Sequence, residues 1–219
     1  MNMHHIDFER EDRQGFPEFI YGEGKTREQV ADILDLFRRK KRSCLVTRLQ
    51  PEKGEFLAGQ FADCSYDPIS RSLLLGRNHE TDMAGLVAII AAGSSDRPVV
   101  AEAAAVLAFL GIETRIFSDK GVAGLHRIIG TLPELEEADV VIVVAGFEGA
   151  LPSVLSGIVK QPIIGVPTSV GYGVAAGGTA ALHAMLSSCA SGLTVVNIDN
   201  GFGAAIAASR ILNLGRKKR

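Results

Sequence analysis

From Gly85 onward the chain contains five continuous apolar runs, which are separated by segments long enough for helices. This alternation restricts the fold more than any other feature of the sequence. The runs predict strands over 86–92, 112–117, 140–144, 163–166 and 193–198. The remaining segments predict helices over 97–110, 122–131, 149–159, 177–188 and 201–214. Apolar strands that alternate with helices indicate a parallel sheet whose two faces are both covered. Because crossover connections are right-handed, we predict an α/β fold with a doubly wound, flavodoxin-like sheet of five parallel strands in the order 2-1-3-4-5.

The N-terminal part of the chain has a different pattern. After a polar arm, Thr26 has the properties of a helix N-cap, and apolar residues follow it at helical spacing. Short apolar runs predict strands over 43–48 and 73–75. We therefore predict a small N-terminal α/β domain over residues 1–82 and the doubly wound domain over residues 83–219.

Composition and charge exclude several classes of function. A net charge of −2 over 219 residues gives no general attraction to nucleic acid or membranes, and no apolar run approaches the roughly 20 residues of a membrane helix. Three cysteines at unrelated spacings argue against a disulfide framework. The charged N-terminus does not resemble a secretory signal. We therefore expect a cytoplasmic protein with neither a nucleic-acid nor a membrane partner.

The loops that follow the predicted strands are polar and contain glycine. Ligands of doubly wound sheets bind beyond the carboxyl ends of the strands, near the switch point between the first and third strands. Hydroxyl groups and free backbone N–H groups at helix N-termini suit phosphates and carboxylates. The candidate substrate-binding residues in these loops are Ser94, Ser95, Asp96, Asp119, Lys120, Gly146, Thr168, Ser169, Gly171, Tyr172 and Asn200.

One of these loops resembles a motif of a known family. Gly93-Ser94-Ser95-Asp96 is similar to the Gly-Ser-x-Ser-Asp turn of the aminoimidazole ribonucleotide carboxylases, the PurE family. The Ser-Ala-His motif of that family is missing, because the loop over 118–121 reads Ser-Asp-Lys-Gly and the nearest histidine is His126. A purine carboxylase or mutase is therefore the alternative function, and a non-catalytic nucleotide-binding module is a third.

Longer sequence words along nearly the whole chain resemble the LarB family. They include Gly-Phe-Glu-Gly-Ala-Leu-Pro at 146–152, Pro-Thr-Ser-Val-Gly-Tyr-Gly at 167–173, Ser-Cys-Ala at 188–190 and Asn-Ile-Asp-Asn-Gly-Phe-Gly at 197–203. The resemblance implies that nicotinate adenine dinucleotide and CO2 are converted to pyridinium-3,5-biscarboxylate mononucleotide and AMP, which begins nickel-pincer cofactor assembly. Cleavage of the phosphoanhydride implies Mg²⁺ held mainly by substrate phosphates, and no dedicated protein metal site is predicted.

This chemistry requires a nucleophile. A pyridinium ring is electrophilic, so a group must first add beside the carbon that is to be carboxylated. Thiolate suits this role because it both adds and leaves well. Cys189 is the only cysteine in the predicted doubly wound domain, whereas Cys44 and Cys64 are expected to be inert. A free cysteine is also common as a small buried apolar residue, which is the alternative for Cys189.

Three further residues complete the candidate catalytic set. The resemblance implies that Glu148 acts on the pyridinium ring or on a proton, and Asp199 is a candidate base or ribose ligand. His126 is the remaining candidate, with packing on a helix surface as its alternative. Asp96 and Asp199 have helix capping as their alternative.

The position of Cys189 in the predicted topology raises a difficulty. It ends the helix that leads into the fifth strand, which places it at the amino edge of the sheet, away from its own cleft. Either the helix is short and irregular, so that the thiol reaches back, or Cys189 completes the cleft of a neighbouring subunit. The resemblance to the PurE family implies a homo-octamer with sites at subunit interfaces.

Overall fold

The structure, a computed structural model, describes residues 5–79 and 85–216. The contacts divide the chain into two compact units, Met1–Thr81 with Phe109–Gly111, and Asp82–Ala108 with Ile112–Arg219. The predicted boundary between residues 82 and 83 lies outside the described residues.

The N-terminal unit is a four-stranded sheet with helices, in the order β1-β2-β4-β3. Its elements are α1 (Arg10–Gln14), β1 (Ile20–Tyr21), α2 (Arg27–Arg39), β2 (Cys44–Thr47), α3 (Pro51–Gln60), β3 (Cys64–Asp67) and β4 (Ser72–Leu75). β1 runs parallel to β2, while β4 is antiparallel to both β2 and β3.

Helix α2 begins at the predicted N-cap. The Gln29 N–H donates to the Thr26 hydroxyl at 3.2 Å, and the Gln29 side-chain oxygen accepts from the Thr26 N–H at 2.9 Å. This reciprocal capping box satisfies two backbone donors that an uncapped helix leaves open. The apolar residues at helical spacing, Val30, Ile33, Leu34 and Phe37, are all buried in the core of this unit.

The C-terminal unit alternates strands with helices. Its elements are β5 (Leu86–Ala91), α4 (Arg97–Phe109), β6 (Glu113–Phe117), α5 (Leu125–Ile129), α6 (Leu132–Leu135), β7 (Val140–Ala145), α7 (Leu151–Ser156), β8 (Ile163–Pro167), α8 (Thr179–Leu186), β9 (Thr194–Val195) and α9 (Gly201–Arg216). The strands are all parallel and lie in the order β6-β5-β7-β8-β9. The predicted doubly wound sheet with the order 2-1-3-4-5 is therefore confirmed.

Both faces of the sheet are covered. All six residues of β5 and all six of β7 are buried. On one face Val141 and Val143 pack in one cluster with Leu155 of α7 and Met185 of α8. The alternate residues of β7 point to the other face, where α9 contacts β7 and β8. None of the helices in the described ranges has the length and apolarity of a membrane span.

Some predicted elements are shorter than expected. The helix predicted over 122–131 is a 3-10 turn at Val122–Gly124 followed by α5, and Gly130 caps α5 before α6 begins. The fifth strand, predicted over 193–198, pairs with β8 only through Thr194 and Val195. Beyond β9 the backbone remains bonded to β8, because the Val196 N–H donates to the Gly165 carbonyl at 3.1 Å and the Asp199 N–H donates to the Pro167 carbonyl at 2.8 Å.

Candidate active site

A cavity of about 230 Å³ lies at the carboxyl ends of β5 and β7, the first and third strands of the sheet. Its lining residues come from the loops after β5, β6, β7 and β8, and are Ala92, Gly93, Ser95, Asp96, Gly121, Val122, Ala123, Ala145, Gly146, Phe147, Glu148, Ala150, Leu151 and Val170. This is the switch point at which the sequence predicts a binding site. Four predicted site residues therefore share one wall: Ser95, Asp96, Gly146 and Glu148.

The loop over 146–150 requires glycine at two positions. A Cβ at Gly146 would lie 2.3 Å from the Val170 carbonyl oxygen, so any larger residue at this position would clash with that backbone. Gly149 has a φ of +63°, and a Cβ there would lie 2.8 Å from the Ala181 Cα. The Phe147 N–H donates to the Val170 carbonyl at 2.8 Å, which ties this loop to the loop after β8. The loop that carries Glu148 is thus fixed by its neighbours on both sides.

Glu148 is exposed on the cavity wall. Within the part of the chain that the structure describes, its carboxylate makes neither a side-chain hydrogen bond nor an ion pair. A carboxylate in this setting is open to a proton, a cation or a ligand hydroxyl. Its position is therefore compatible with a role in proton transfer.

Asp96 is buried at the base of the same cavity, with 2% of its surface exposed. Its two oxygens accept hydrogen bonds from the Thr168 hydroxyl at 2.7 Å and from the Gly93 N–H at 2.9 Å. Burial raises the pKa of Asp96 above its usual range, and the nearby Asp199 carboxylate adds to this, while the two hydrogen bonds partly oppose it. Asp96 therefore positions the loop after β8, in addition to the N-terminal turn of α4.

A second carboxylate reaches the same loop from the edge strand. Asp199, with a φ of +56°, accepts a hydrogen bond from the Ser169 N–H at 2.8 Å, and its own N–H donates to the Pro167 carbonyl. Thr168 and Ser169 thus connect Asp96, in the loop after β5, with Asp199, in the loop after β9. The sequence predicted each of these residues separately, and the structure joins them in one hydrogen-bonded group.

We expect Thr168→Val to lower the free energy of unfolding by about 1–3 kcal/mol at neutral pH, because it leaves one oxygen of the buried Asp96 carboxylate without its donor, while the Gly93 N–H still serves the other. The folded-state pKa of Asp96 is raised, so its contribution to stability is present below the unfolded pKa and is lost as the pH rises through the folded pKa. Loss of the Thr168 hydroxyl destabilises mainly the ionised form of Asp96, which accepts its hydrogen bond. The difference from wild type should therefore shrink as the pH falls through the folded pKa of Asp96.

Urea unfolding of both proteins at neutral pH and in mild acid measures this difference. Ser169→Ala is the matched control, because Ser169 is exposed and bonds to Asp199 through its backbone N–H. Equal destabilisation by Thr168→Val at both pH values would contradict the assigned interaction.

Other predicted binding residues lie around the cavity without lining it. Ser94 is exposed in the turn that follows β5, beside Ser95. Gly171 is half-buried in the loop after β8, and Tyr172 is 77% exposed with its ring edge-on to Phe147 at 5.6 Å. Asn200 accepts the Gly203 N–H at 2.8 Å in the first turn of α9, which is a capping contact.

The loop after β6 is held by an ion pair to α5 and by a backbone hydrogen bond to β5. Asp119 forms an ion pair with Arg127 at 2.5 Å, and the Lys120 N–H donates to the Ala91 carbonyl at 2.9 Å. His126 is exposed in α5 and does not belong to the cavity lining. The part of this loop that lines the cavity is Gly121, Val122 and Ala123, so it contributes an apolar surface.

Cys189 is exposed in the segment between α8 and β9 and does not line the cavity of its own chain. The adjacent Ser188 hydroxyl accepts from the Ser153 hydroxyl at 2.7 Å and from the Ala190 N–H at 3.2 Å. Ser153 belongs to α7, whose first residue, Leu151, does line the cavity. Helix α8 has only eight residues, about 12 Å. The hydrogen bond between Ser153 and Ser188 ties the start of the thiol segment to α7.

The other two thiols lie in the N-terminal unit, where Cys44 is buried and Cys64 is half-buried. Burial raises the pKa of Cys44 far above its usual value and raises that of Cys64 to about 11. Both groups are therefore protonated at neutral pH and poorly nucleophilic. Cys189 is the exposed thiol among the three, and the inertness of Cys44 and Cys64 stays a prediction.

The apolar half of the cavity was not predicted. Phe147, Val122, Ala150, Leu151 and Val170 lie beside glycines and polar residues that the sequence did single out. Ligand sites in proteins are lined mainly by apolar groups with a few polar ones. Apolar residues in the predicted loops are the signal that could have indicated this surface.

Family models match both parts of the chain. Residues 1–77 match the LarB/PurE-like N-terminal domain, and residues 86–219 match AIR carboxylase. An uncharacterized protein of Methanocaldococcus jannaschii is 38% identical, with 97% of this chain and 85% of that protein covered. An N5-carboxyaminoimidazole ribonucleotide mutase of Pyrococcus horikoshii is 33% identical, with 59% of this chain and 73% of the mutase covered.

The crystal structure of a PurE from Treponema denticola is also similar, with a TM-score of 0.48 and 28% identity over 59% of this chain and 80% of that one. The two family matches together span 1–77 and 86–219. The chain therefore belongs to the LarB family and carries a PurE-like C-terminal domain.

Proposed function

We propose that the protein carboxylates the pyridinium ring of nicotinate adenine dinucleotide with CO2 and hydrolyses its phosphoanhydride. The products are pyridinium-3,5-biscarboxylate mononucleotide and AMP, and the reaction begins nickel-pincer nucleotide cofactor biosynthesis. The observation that carries the proposal is the presence, in one chain, of a LarB-type N-terminal domain and an AIR carboxylase domain with an exposed thiol, Cys189.

Carboxylation proceeds through a covalent adduct. The Cys189 thiolate adds to a ring carbon and gives a neutral dienamine, whose adjacent carbon forms a bond to CO2. As this bond forms, the π electron pair of one C=O bond of CO2 moves onto its oxygen to give the carboxylate, and the ring becomes an iminium. A base removes the proton from the carboxylated carbon, and the electrons expel the thiolate and restore the aromatic ring. One ring hydrogen is replaced by a carboxylate, with no external oxidant or reductant.

The cavity residues support the binding and proton-transfer steps. Glu148 is a carboxylate on the cavity wall with no side-chain partner among the described residues, so it is our candidate for the base. Ser95 and the backbone of the loops after β5 and β8 provide donors for phosphate and sugar oxygens. The apolar residues of the wall exclude water, which protects the dienamine from protonation.

Hydrolysis of the phosphoanhydride implies Mg²⁺. Within residues 5–79 and 85–216, no group of three or more His, Cys, Asp or Glu side chains could hold a metal ion. Both oxygens of Asp96 already accept hydrogen bonds, which leaves Glu148 as the available carboxylate of the cavity wall. Mg²⁺ commonly binds one or two carboxylates together with substrate phosphates, so these residues fit a substrate-held ion. When bound, it would neutralise charge on the pyrophosphate.

Incubation of the purified protein with nicotinate adenine dinucleotide, labelled bicarbonate and Mg²⁺ tests the proposal. We expect the label in a pyridine mononucleotide and a matching amount of AMP. Chromatography with mass detection identifies both products. A protein that leaves the dinucleotide unlabelled and uncleaved would contradict the proposal.

A purine-pathway carboxylase or mutase is the second candidate, favoured by the AIR carboxylase match and by the mutase relative. The apolar lining at Gly121, Val122 and Ala123, with no histidine in that part of the wall, weighs against it. The same assay with aminoimidazole ribonucleotide or its N5-carboxy derivative separates the candidates. Turnover of the purine precursor alone would favour the second.

A further inference from the structure

A second cavity, of about 390 Å³, lies within the N-terminal unit and has no part in the function proposed above. One side is formed by the N-terminal arm, including Phe8, and the other by the end of α2 and the residues after it, including Phe37, Lys41 and Arg42. Its volume is in the range of sites that bind small molecules, roughly 300–1,000 Å³.

The basic residues of this region have two different settings. The chain carries five consecutive cations over 38–42. Arg38 and Arg39 lie in the last turn of α2 and Lys40 is its C-cap, where positive charge favours the helix dipole. The helix dipole therefore accounts for the basic residues only as far as Lys40. Lys41 and Arg42 lie beyond the helix and line the cavity.

Lys41 has an unusual backbone conformation. Its φ is +53°, and its N–H donates to the Arg38 carbonyl at 2.9 Å, just after the C-cap of α2. Glycine is the usual residue at this position because L side chains are strained there. A lysine therefore stands where the backbone favours glycine, and this same residue lines the cavity.

Arg42 is held in place on the same wall. Its Nη1 donates to the Phe8 carbonyl at 2.9 Å, and its guanidinium lies over the Phe8 ring, 6.0 Å from the centroid. A guanidinium has five N–H donors, so others remain for a ligand. A fixed arginine loses little conformational freedom when it binds a phosphate oxygen.

The carboxylates of the cavity are mostly neutralised. Asp7 pairs with Arg13 at 2.5 Å, and Glu18 lies 4.0 Å from Arg10. Glu11 is then the lining carboxylate that has no ion pair among the described residues. Lys41 and Arg42 together outweigh it, so this wall attracts an anion.

Aromatic and orphan polar groups complete the site. The half-buried Phe8 ring packs edge-on against Phe37 with 5.1 Å between centroids. His79 also lines the cavity, and its Nε2 is buried without a hydrogen-bond partner in the described part of the chain. A buried polar nitrogen of this kind usually has a partner when the site is complete. A simple inorganic anion would use neither the aromatic surface nor most of the volume.

We propose that this cavity is a nucleotide-binding site, in which Lys41 and Arg42 bind the phosphate of a mononucleotide and its base lies on the arm side near Phe8. The site is independent of the cavity at the carboxyl ends of β5 and β7. It gives the N-terminal unit a ligand-binding role of its own.

Photo-crosslinking of the full chain with 8-azido-AMP tests the proposal, with the labelled peptides located by mass spectrometry. We expect label within residues 5–18 or 36–43, with protection by excess AMP and much weaker protection by adenosine or by orthophosphate. Lys41→Gly removes the ammonium and relaxes the backbone. It should raise the thermal midpoint yet weaken AMP competition by about tenfold or more.

Lys40→Gln is the matched control, because Lys40 belongs to the same basic run but does not line the cavity. Its AMP competition should stay within about twofold of wild type. Label confined to the C-terminal unit would overturn the proposal. So would undiminished AMP competition in Lys41→Gly, or protection by a single-stranded RNA oligomer with none by AMP.

Discussion

Cys189→Ser should leave the fold intact and lower the rate of pyridinium carboxylation by about a thousandfold or more, as expected when a covalent nucleophile is removed. A serine hydroxyl is a far weaker nucleophile at neutral pH and a poorer leaving group than a thiolate. Cys189 is exposed, so its replacement removes little packing and the unfolding midpoint should hardly change. The measurement is the rate of label incorporation by each purified protein under saturating substrate.

Cys64→Ser is the matched control for this prediction. Cys64 is half-buried and its pKa is raised to about 11 by burial, so it should make no contribution to nucleophilic catalysis. We expect its rate to stay within about twofold of wild type. If Cys189→Ser keeps more than a few per cent of the wild-type rate, covalent catalysis by this thiol is excluded.

The continuous apolar strands made the topology of the C-terminal unit predictable. Runs such as 140–144 and 163–166 can only be buried between two layers, and right-handed crossovers then leave few arrangements. Helix ends were less predictable because they depend on backbone conformation. Gly177 and Gly178 take φ values of +75° and +79°, so α8 begins at Thr179 and is shorter than the apolar pattern suggested.

The sequence predicted the location of the candidate site, but it predicted few of the contacts within the site. Loops at the carboxyl ends of parallel strands converge, which is why Ser95, Asp96, Gly146 and Glu148 could be named from the sequence. The bond between Thr168 and Asp96 joins residues 72 positions apart, and no local pattern encodes it. The cavity of the N-terminal unit was missed for the same reason, since the arm that closes it shows no periodicity.

The final prediction concerns how Cys189 reaches a substrate. The thiol does not line the cavity of its own chain, although the proposed chemistry requires it beside the pyridinium ring. Three large apolar side chains near α8 are exposed. Tyr172 and Val174, in the loop before α8, are 77% and 99% exposed, and Leu186, the last residue of α8, is 64% exposed. Large apolar side chains that a single chain leaves exposed are candidates for burial at a protein interface. We therefore predict that Cys189 acts in the cleft of a neighbouring subunit, within a closed homo-oligomer such as an octamer.

Mixing two inactive proteins tests this arrangement, with Cys189→Ser in one subunit and Glu148→Gln in the other. If sites are shared, an equimolar exchanged mixture should recover about a quarter of the wild-type activity, because half of the clefts are intact and half of the neighbours supply the thiol. Cys189→Ser mixed with a subunit that carries both Cys189→Ser and Glu148→Gln is the control, since no Cys189 thiol is present and activity should stay absent. Native mass spectrometry verifies the exchange. A mixture that stays inactive despite exchange would show that Cys189 serves its own cleft, which then requires the segment between α8 and β9 to move so that the thiol enters the cavity.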